Sequence, residues 1–134
     1  MIKLLVCVSL GIALLGCRGE DVAQVTGTVR LDGQPVPGAQ VTFHPVAEGR
    51  PAYGTAATEG IYRLRVGDIA GALPGEYRVT VIRHGAPPPT PPGGMPSPGP
   101  LLTPAVYSSV ERTPLTFRVA LGENTIDLDL TSHP

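Results

Sequence analysis

Val25-Thr26-Gly27-Thr28-Val29-Arg30-Leu31-Asp32-Gly33-Gln34-Pro35-Val36-Pro37-Gly38-Ala39-Gln40-Val41-Thr42-Phe43 decides how this chain folds. Val25, Gly27, Val29 and Leu31 fall on one side of a period-two pattern, with Thr26, Thr28 and Arg30 on the other. That alternation is the signature of a strand with one buried face. Residues 32–38 then read as a turn-rich connector, dense in Gly and Pro. Alternation resumes with Ala39, Val41 and Phe43 inward and Gln40, Thr42 and His44 outward.

The same period continues along the chain. A weaker strand is expected at 52–58, and Glu59-Gly60 suits a tight turn into Ile61–Val66, with Tyr62, Leu64 and Val66 inward. Pro74-Gly75 precedes a strand over 76–83 with Tyr77, Val79 and Val81 inward. Leu115, Phe117, Val119 and Leu121 form one further apolar row, and Ile126, Leu128 and Leu130 another. No stretch of ten or more residues carries a helical period. Seven strands, each with one apolar face, pack as two sheets, so the expected fold is an all-β, single seven-stranded β-sandwich. Pairing the last two rows as a hairpin sets Phe117 opposite Leu130, Val119 opposite Leu128 and Arg118 opposite Asp129, around Glu123-Asn124.

Of 16 prolines in the 134 residues, eight fall between Pro87 and Pro100. Residues 86–100 therefore cannot enter a sheet, because proline lacks the amide donor. An extended polyproline arrangement interrupted at Gly93-Gly94 is expected, as a surface loop or as a ligand for a proline-recognising partner.

The beginning of the chain carries an address. Met1-Ile2-Lys3 bears one positive charge, the run from Leu4 to Gly16 is apolar, and Leu14-Leu15-Gly16-Cys17 follows. Charge, apolar run and small residue are the parts of a secretory signal peptide. The run is too short to span a bilayer, which takes roughly 20 residues. Leu14-Leu15-Gly16-Cys17 resembles the bacterial lipobox, with Leu15 where Ala, Ser or Thr is commoner. That resemblance implies cleavage before Cys17 and attachment of lipid to its thiol. Residues 1–16 then form a lipoprotein signal peptide, 17–21 the lipidated N-terminus and short tether, and 22–131 the sandwich.

The mature chain would hold 118 residues, enough for one domain with a core that buries roughly two-thirds of the unfolded surface. Cys7 leaves with the signal and Cys17 is used by the lipid, so no disulfide is expected. Nine arginines stand against eleven carboxylates, without a basic block of the kind nucleic acid requires. Lys3 is the only lysine, which excludes Schiff-base and lysine-base chemistry from the mature chain.

Val25-Thr26-Gly27-Thr28-Val29, the run from Asp32 to Phe43, Gly60-Ile61-Tyr62 and Pro74-Gly75-Glu76-Tyr77-Arg78-Val79-Thr80-Val81 together resemble the carboxypeptidase regulatory-like, or transthyretin-like, β-sandwich. With the lipobox, the Pro-rich insert and a final strand over Asn124–Leu130, the chain is similar to small lipoproteins of planctomycete-type bacteria. The resemblance implies a transthyretin/prealbumin-like fold and a folding or binding role without chemistry. Ala57-Thr58-Glu59-Gly60 is shorter than the Asp-rich turn usual there.

Enzymes of related topology leave no trace in this chain. The Tyr-Arg-Gly-Ser end of hydroxyisourate hydrolases is replaced by Thr131-Ser132-His133-Pro134, and the His-x-His of intradiol dioxygenases is missing, since His44, His84 and His133 stand alone. No Gly-x-Ser-x-Gly elbow occurs. The expectation is a non-catalytic envelope module, without cofactor or metal, held in the bilayer through acylated Cys17. It would bind an envelope protein or polysaccharide, with Arg63, Arg65 and Arg78 as surface contacts and no nucleic-acid partner. Arg18, where enteric-type sorting uses Asp to retain such proteins on the inner membrane, favours the outer membrane. The competing readings are a hydrolase-type enzyme using carboxylates such as Glu59 or Glu76, and a calcium-binding surface formed by Asp127 and Asp129.

Overall fold

The period-two rows become strands in a computed structural model that describes residues 21–133; the expected signal peptide and lipidation site at Cys17 lie outside the described residues. The chain forms β1 (Gln24–Leu31), β2 (Gln34–Pro35), β3 (Gln40–Pro45), β4 (Ala52–Thr55), β5 (Ile61–Arg63) and β6 (Arg65–Val66). β7 (Ile69–Ala70), β8 (Gly75–Ile82), a one-turn 3-10 helix (Ala105–Ser108), β9 (Thr116–Val119), β10 (Glu123–Thr125) and β11 (Leu128–Leu130) follow. Every stretch expected as a strand holds at least one of these segments. The total is eleven rather than seven, because two stretches are broken and β2 and β7 are short additions.

The protein is all-β with two sheets. One gathers β10, β11, β5 and β2 around β1; the other runs β7-β6-β4-β3-β8-β9. Val25, Val29, Tyr62, Leu128 and Leu130 of the first share a core with Val41, Phe43, Tyr77, Val79, Val81 and Val119 of the second, and with Leu64 where the chain passes between them. This arrangement is consistent with a β-sandwich. Phe43 sits at its middle, 6.3 Å from the Tyr62 ring and 5.7 Å from the Tyr77 ring. The connector between β1 and β2 closes on Asp32 and Gly33, both at positive φ (50° and 82°), the Asp-Gly pair that a two-residue type I′ hairpin favours.

The expected closing hairpin does not form. β9 pairs antiparallel with β8, setting Phe117 opposite Tyr77 and Arg118 opposite Glu76. β10 and β11 cross to the other sheet and run parallel to β1, with Val29 beside Leu128 and Leu31 beside Leu130. The inward rows are as expected apart from Leu121, which is exposed at the crossover. An apolar face satisfies either sheet, so alternation alone does not choose the partner. Asn124 makes the choice local. Its Nδ2 donates to the Ala120 carbonyl (2.8 Å) and its Oδ1 accepts the Ala120 N–H (3.1 Å), closing a turn where ladder bonds would otherwise run. Arg118 consequently meets Glu76, and Asp129 meets Arg30, each at 3.8 Å.

At Gly27 the parallel ladder is exchanged for side-chain bonds. The Ile126 N–H donates to the Thr26 carbonyl (2.8 Å), but the Thr28 N–H goes to Asp127 Oδ1 (3.0 Å) instead of to the backbone. The Ile126 carbonyl turns inward and accepts the Tyr62 hydroxyl (2.5 Å). A Cβ at residue 27 would lie 1.8 Å from that oxygen, so only glycine fits. Tyr62, opposite Gly27 on β5, lies fully buried, hydroxyl included.

Gly27→Ala should therefore lower stability by about 3 kcal/mol through overpacking. Tyr62→Phe should cost about 1–2 kcal/mol, because it leaves a buried carbonyl unpaired. Urea unfolding midpoints of the two variants check both values. Asp32→Ala should cost about 1 kcal/mol, since it puts a Cβ residue without a turn-favouring side chain at positive φ, whereas Asp32→Asn should lose less.

Candidate functional site

Arg63 and Arg65 are brought together by the way the chain changes sheets. β5 pairs with β1, placing Arg63 opposite Thr26, while β6 pairs with β4, placing Arg65 opposite Tyr53. Leu64 between them is buried, so both guanidinium groups face solvent on the edge that joins the sheets. They form a ridge between two clefts. One, of about 470 Å³, is bounded by Gln24, Thr26, Glu123 and Thr125; the other, of about 580 Å³, by Tyr53, Thr55 and Ile61. Tyr53 and Ile61 are about half exposed there. Arg65 also donates to the Asp68 carbonyl (3.3 Å). Two cations, a phenol and an aliphatic surface make the ridge suited to acidic or sugar-like groups of a larger partner.

Arg78 stands apart from this ridge. It lies on β8, and its Nη1 donates to the carbonyls of Val110 (2.9 Å) and Glu111 (3.3 Å), pinning the segment that leads into β9. Beside it His44, opposite Arg78 in the β3–β8 ladder, exchanges a hydrogen bond with Thr80 Oγ1 (3.0 Å). Burial holds the His44 imidazole below its ordinary value, against the opposing pull of Glu111. His84 Nδ1 meets the Gly99 carbonyl (3.0 Å) at the base of the Pro-rich loop, and His133 lies in the exposed tail. Residues 86–98 are exposed and outside every strand, with Gly94 N–H donating to the Pro91 carbonyl (2.9 Å) at the expected break.

Of the carboxylates in the competing readings, Glu76, Asp127 and Asp129 are engaged in structural bonds and Glu59 stands apart from them. Glu59 lies in the turn before β5, at the end of the molecule where Gly60 approaches Pro35 and Val36. Glu76 opens β8 at the other end and pairs with Arg118. Asp127 caps the Thr28 amide, and Asp129 pairs with Arg30 where Arg118 was expected. Among the described residues no three His, Cys, Asp or Glu side chains are grouped to hold a metal ion. Asp32 accepts both the amide and the hydroxyl of Ser132, which hold its carboxyl below the usual range.

Tyr107 is the residue that alternation did not reveal. It is buried from a helical turn, and its hydroxyl accepts the Thr131 N–H (3.0 Å). Its only signal was an aromatic ring in a segment without strand period. Comparison of the chain with family models, with curated proteins and with solved structures returns no match.

A folded state that lowers the His44 value leaves the unfolded chain to take up the proton first. Stability should therefore fall as pH drops through about 6.5 and be fully present above it. Urea midpoints at pH 5.5 and 7.5 should differ less in His44→Gln than in the parent chain.

Proposed function

We propose that this chain is a membrane-anchored envelope lipoprotein whose non-catalytic β-sandwich, of the transthyretin-like kind, binds an envelope protein or polysaccharide. Leu14-Leu15-Gly16-Cys17 after a charged and apolar leader carries the reading. The spacing supports it: four residues from Cys17 to Asp21 leave little room for anything but a tether before β1 begins at Gln24. Two or three acyl chains at Cys17 would give stable attachment where one gives only reversible binding. Arg18 directs the protein to the outer membrane in this reading. Arg63, Arg65 and Tyr53 supply the contact surface, and Arg78, occupied with Val110 and Glu111, does not. The separation of Glu59 from Glu76, and the engagement of Asp127 and Asp129 in structural bonds, favour binding over hydrolysis or calcium capture.

Cys17→Ser should move the protein from the membrane fraction to the soluble fraction, with loss of metabolic labelling by palmitate. Retention of label, or of membrane association, in that variant contradicts the proposal. Arg63→Ala with Arg65→Ala should release cross-linked envelope partners from the lipidated protein without altering its unfolding midpoint.

A further inference from the structure

The parallel pairing of the first strand with the last gives the molecule two distinct ends. Gln24 opens β1 beside Glu123, and Leu31 closes it beside Leu130. The chain thus leaves toward Cys17 at the Gln24 end. Three loops meet there. The β6–β7 hairpin, with the residues that follow it, is tied in by the Ala23–Ala72 bridge, with Gly71 against Val22. The crossover at 120–122 is tied in by the Gly122 carbonyl, which accepts the Gln24 N–H (2.8 Å). The β3–β4 loop is tied in by Val46 N–H, which donates to the Glu76 carbonyl (2.9 Å) at the start of β8. Each loop presents one aliphatic side chain to solvent: Ile69 (56% exposed), Leu121 (64%) and Val46 (57%).

Single exposed aliphatic residues are ordinary, but one on each of three loops at the same end is a pattern. The length of chain beyond this end identifies what covers it. Cys17 precedes Gln24 by seven residues, a reach of at most about 25 Å. We propose that this end docks on the lipid bilayer, with Val46, Ile69 and Leu121 entering the interface as a second attachment beside the acyl chains. The proposal rests on the lipid-anchor reading. Charge does not drive it, because Asp21, Glu48, Asp68, Glu76 and Glu123 at this end outnumber Arg50, Arg65 and Arg118. Apolar insertion is the force, so docking occurs on zwitterionic lipid and changes little with salt. Leu102, whose N–H donates to the Arg83 carbonyl beyond the far end of β8, lies about the length of β1 further from the anchor and stays dry of lipid.

The absence of tryptophan from the sequence makes the test direct. Val46→Trp, Ile69→Trp, Leu121→Trp and Leu102→Trp are each made in the full chain, lipidated in a bacterial host and reconstituted in phosphatidylcholine vesicles. The first three should shift their emission to the blue. They should lose most of it when the lipids carry bromine high on the acyl chains, equally at low and high salt, while Leu102→Trp is unaffected. Slower amide exchange at 66–70 and 120–122 in the unsubstituted lipidated protein, relative to soluble Cys17→Ser, gives the same reading without a probe. Protein that carries the acyl mass and floats with vesicles, yet shows no more quenching at 46, 69 and 121 than at 102, overturns the docking alone. Quenching abolished by salt overturns apolar insertion. Protein without the acyl mass that fails to float overturns the anchor reading and the docking with it.

Discussion

One inward-turned carbonyl organises the sheet built on β1. The Ile126 oxygen leaves the ladder between the first and last strands, enters the space that any side chain at residue 27 would need, and is met by the Tyr62 hydroxyl from the opposite neighbour of β1. Asp127 supplies the acceptor that Thr28 loses. Three strands distant in sequence are thereby locked at one level, and a buried carbonyl that would otherwise be costly is satisfied. Burial, with Asp127 nearby, pushes the Tyr62 phenol well above its usual range, so the bond stays in its donor form. The Phe43 ring then packs on this tyrosine and on Tyr77, joining the two sheets.

Most of the core was legible because strand alternation reports which residues are inward, and that depends only on local geometry. Val25, Val29, Val41, Phe43, Leu64, Val79 and Leu128 all lie where the period puts them. Sheet partners were less legible. Phe117 and Leu128 each face a core whichever strand lies alongside, so the hairpin and the crossover predict the same inward rows. The crossover was encoded in Asn124, whose amide closes on Ala120, and in Gly27, whose missing side chain admits Ile126. The first is a side-chain turn within five residues, which alternation does not register, and the second depends on a residue far away in sequence. Tyr107 was illegible for a related reason: a single helical turn has no period to read.

The same logic separates the candidate contacts. Arg63 and Arg65 looked equivalent to Arg78, since all three alternate outward. The fold distinguishes them through what lies opposite, an open edge for the first pair and the carbonyls of Val110 and Glu111 for the third. Beyond residue 78, the edge of β8 has no strand partner. The Thr113 hydroxyl instead donates to the Val79 carbonyl (2.7 Å), and Thr103 accepts the Arg83 N–H (3.1 Å). Such an edge is an aggregation hazard when bare. Here the segment that returns from the Pro-rich loop covers it, so that loop has a structural counterpart in the chain following it.

The partnership of β1 with β10 and β11 also governs the order in which the chain can become itself. Gln24 waits for Glu123 and Leu31 for Leu130, so the first strand has no complete sheet until the chain has been made as far as Leu130. Contacts this far apart in sequence form slowly. The β1 sheet is therefore the late step of folding, and the β3–β4–β8 sheet, whose strands lie closer together in the chain, can assemble before it.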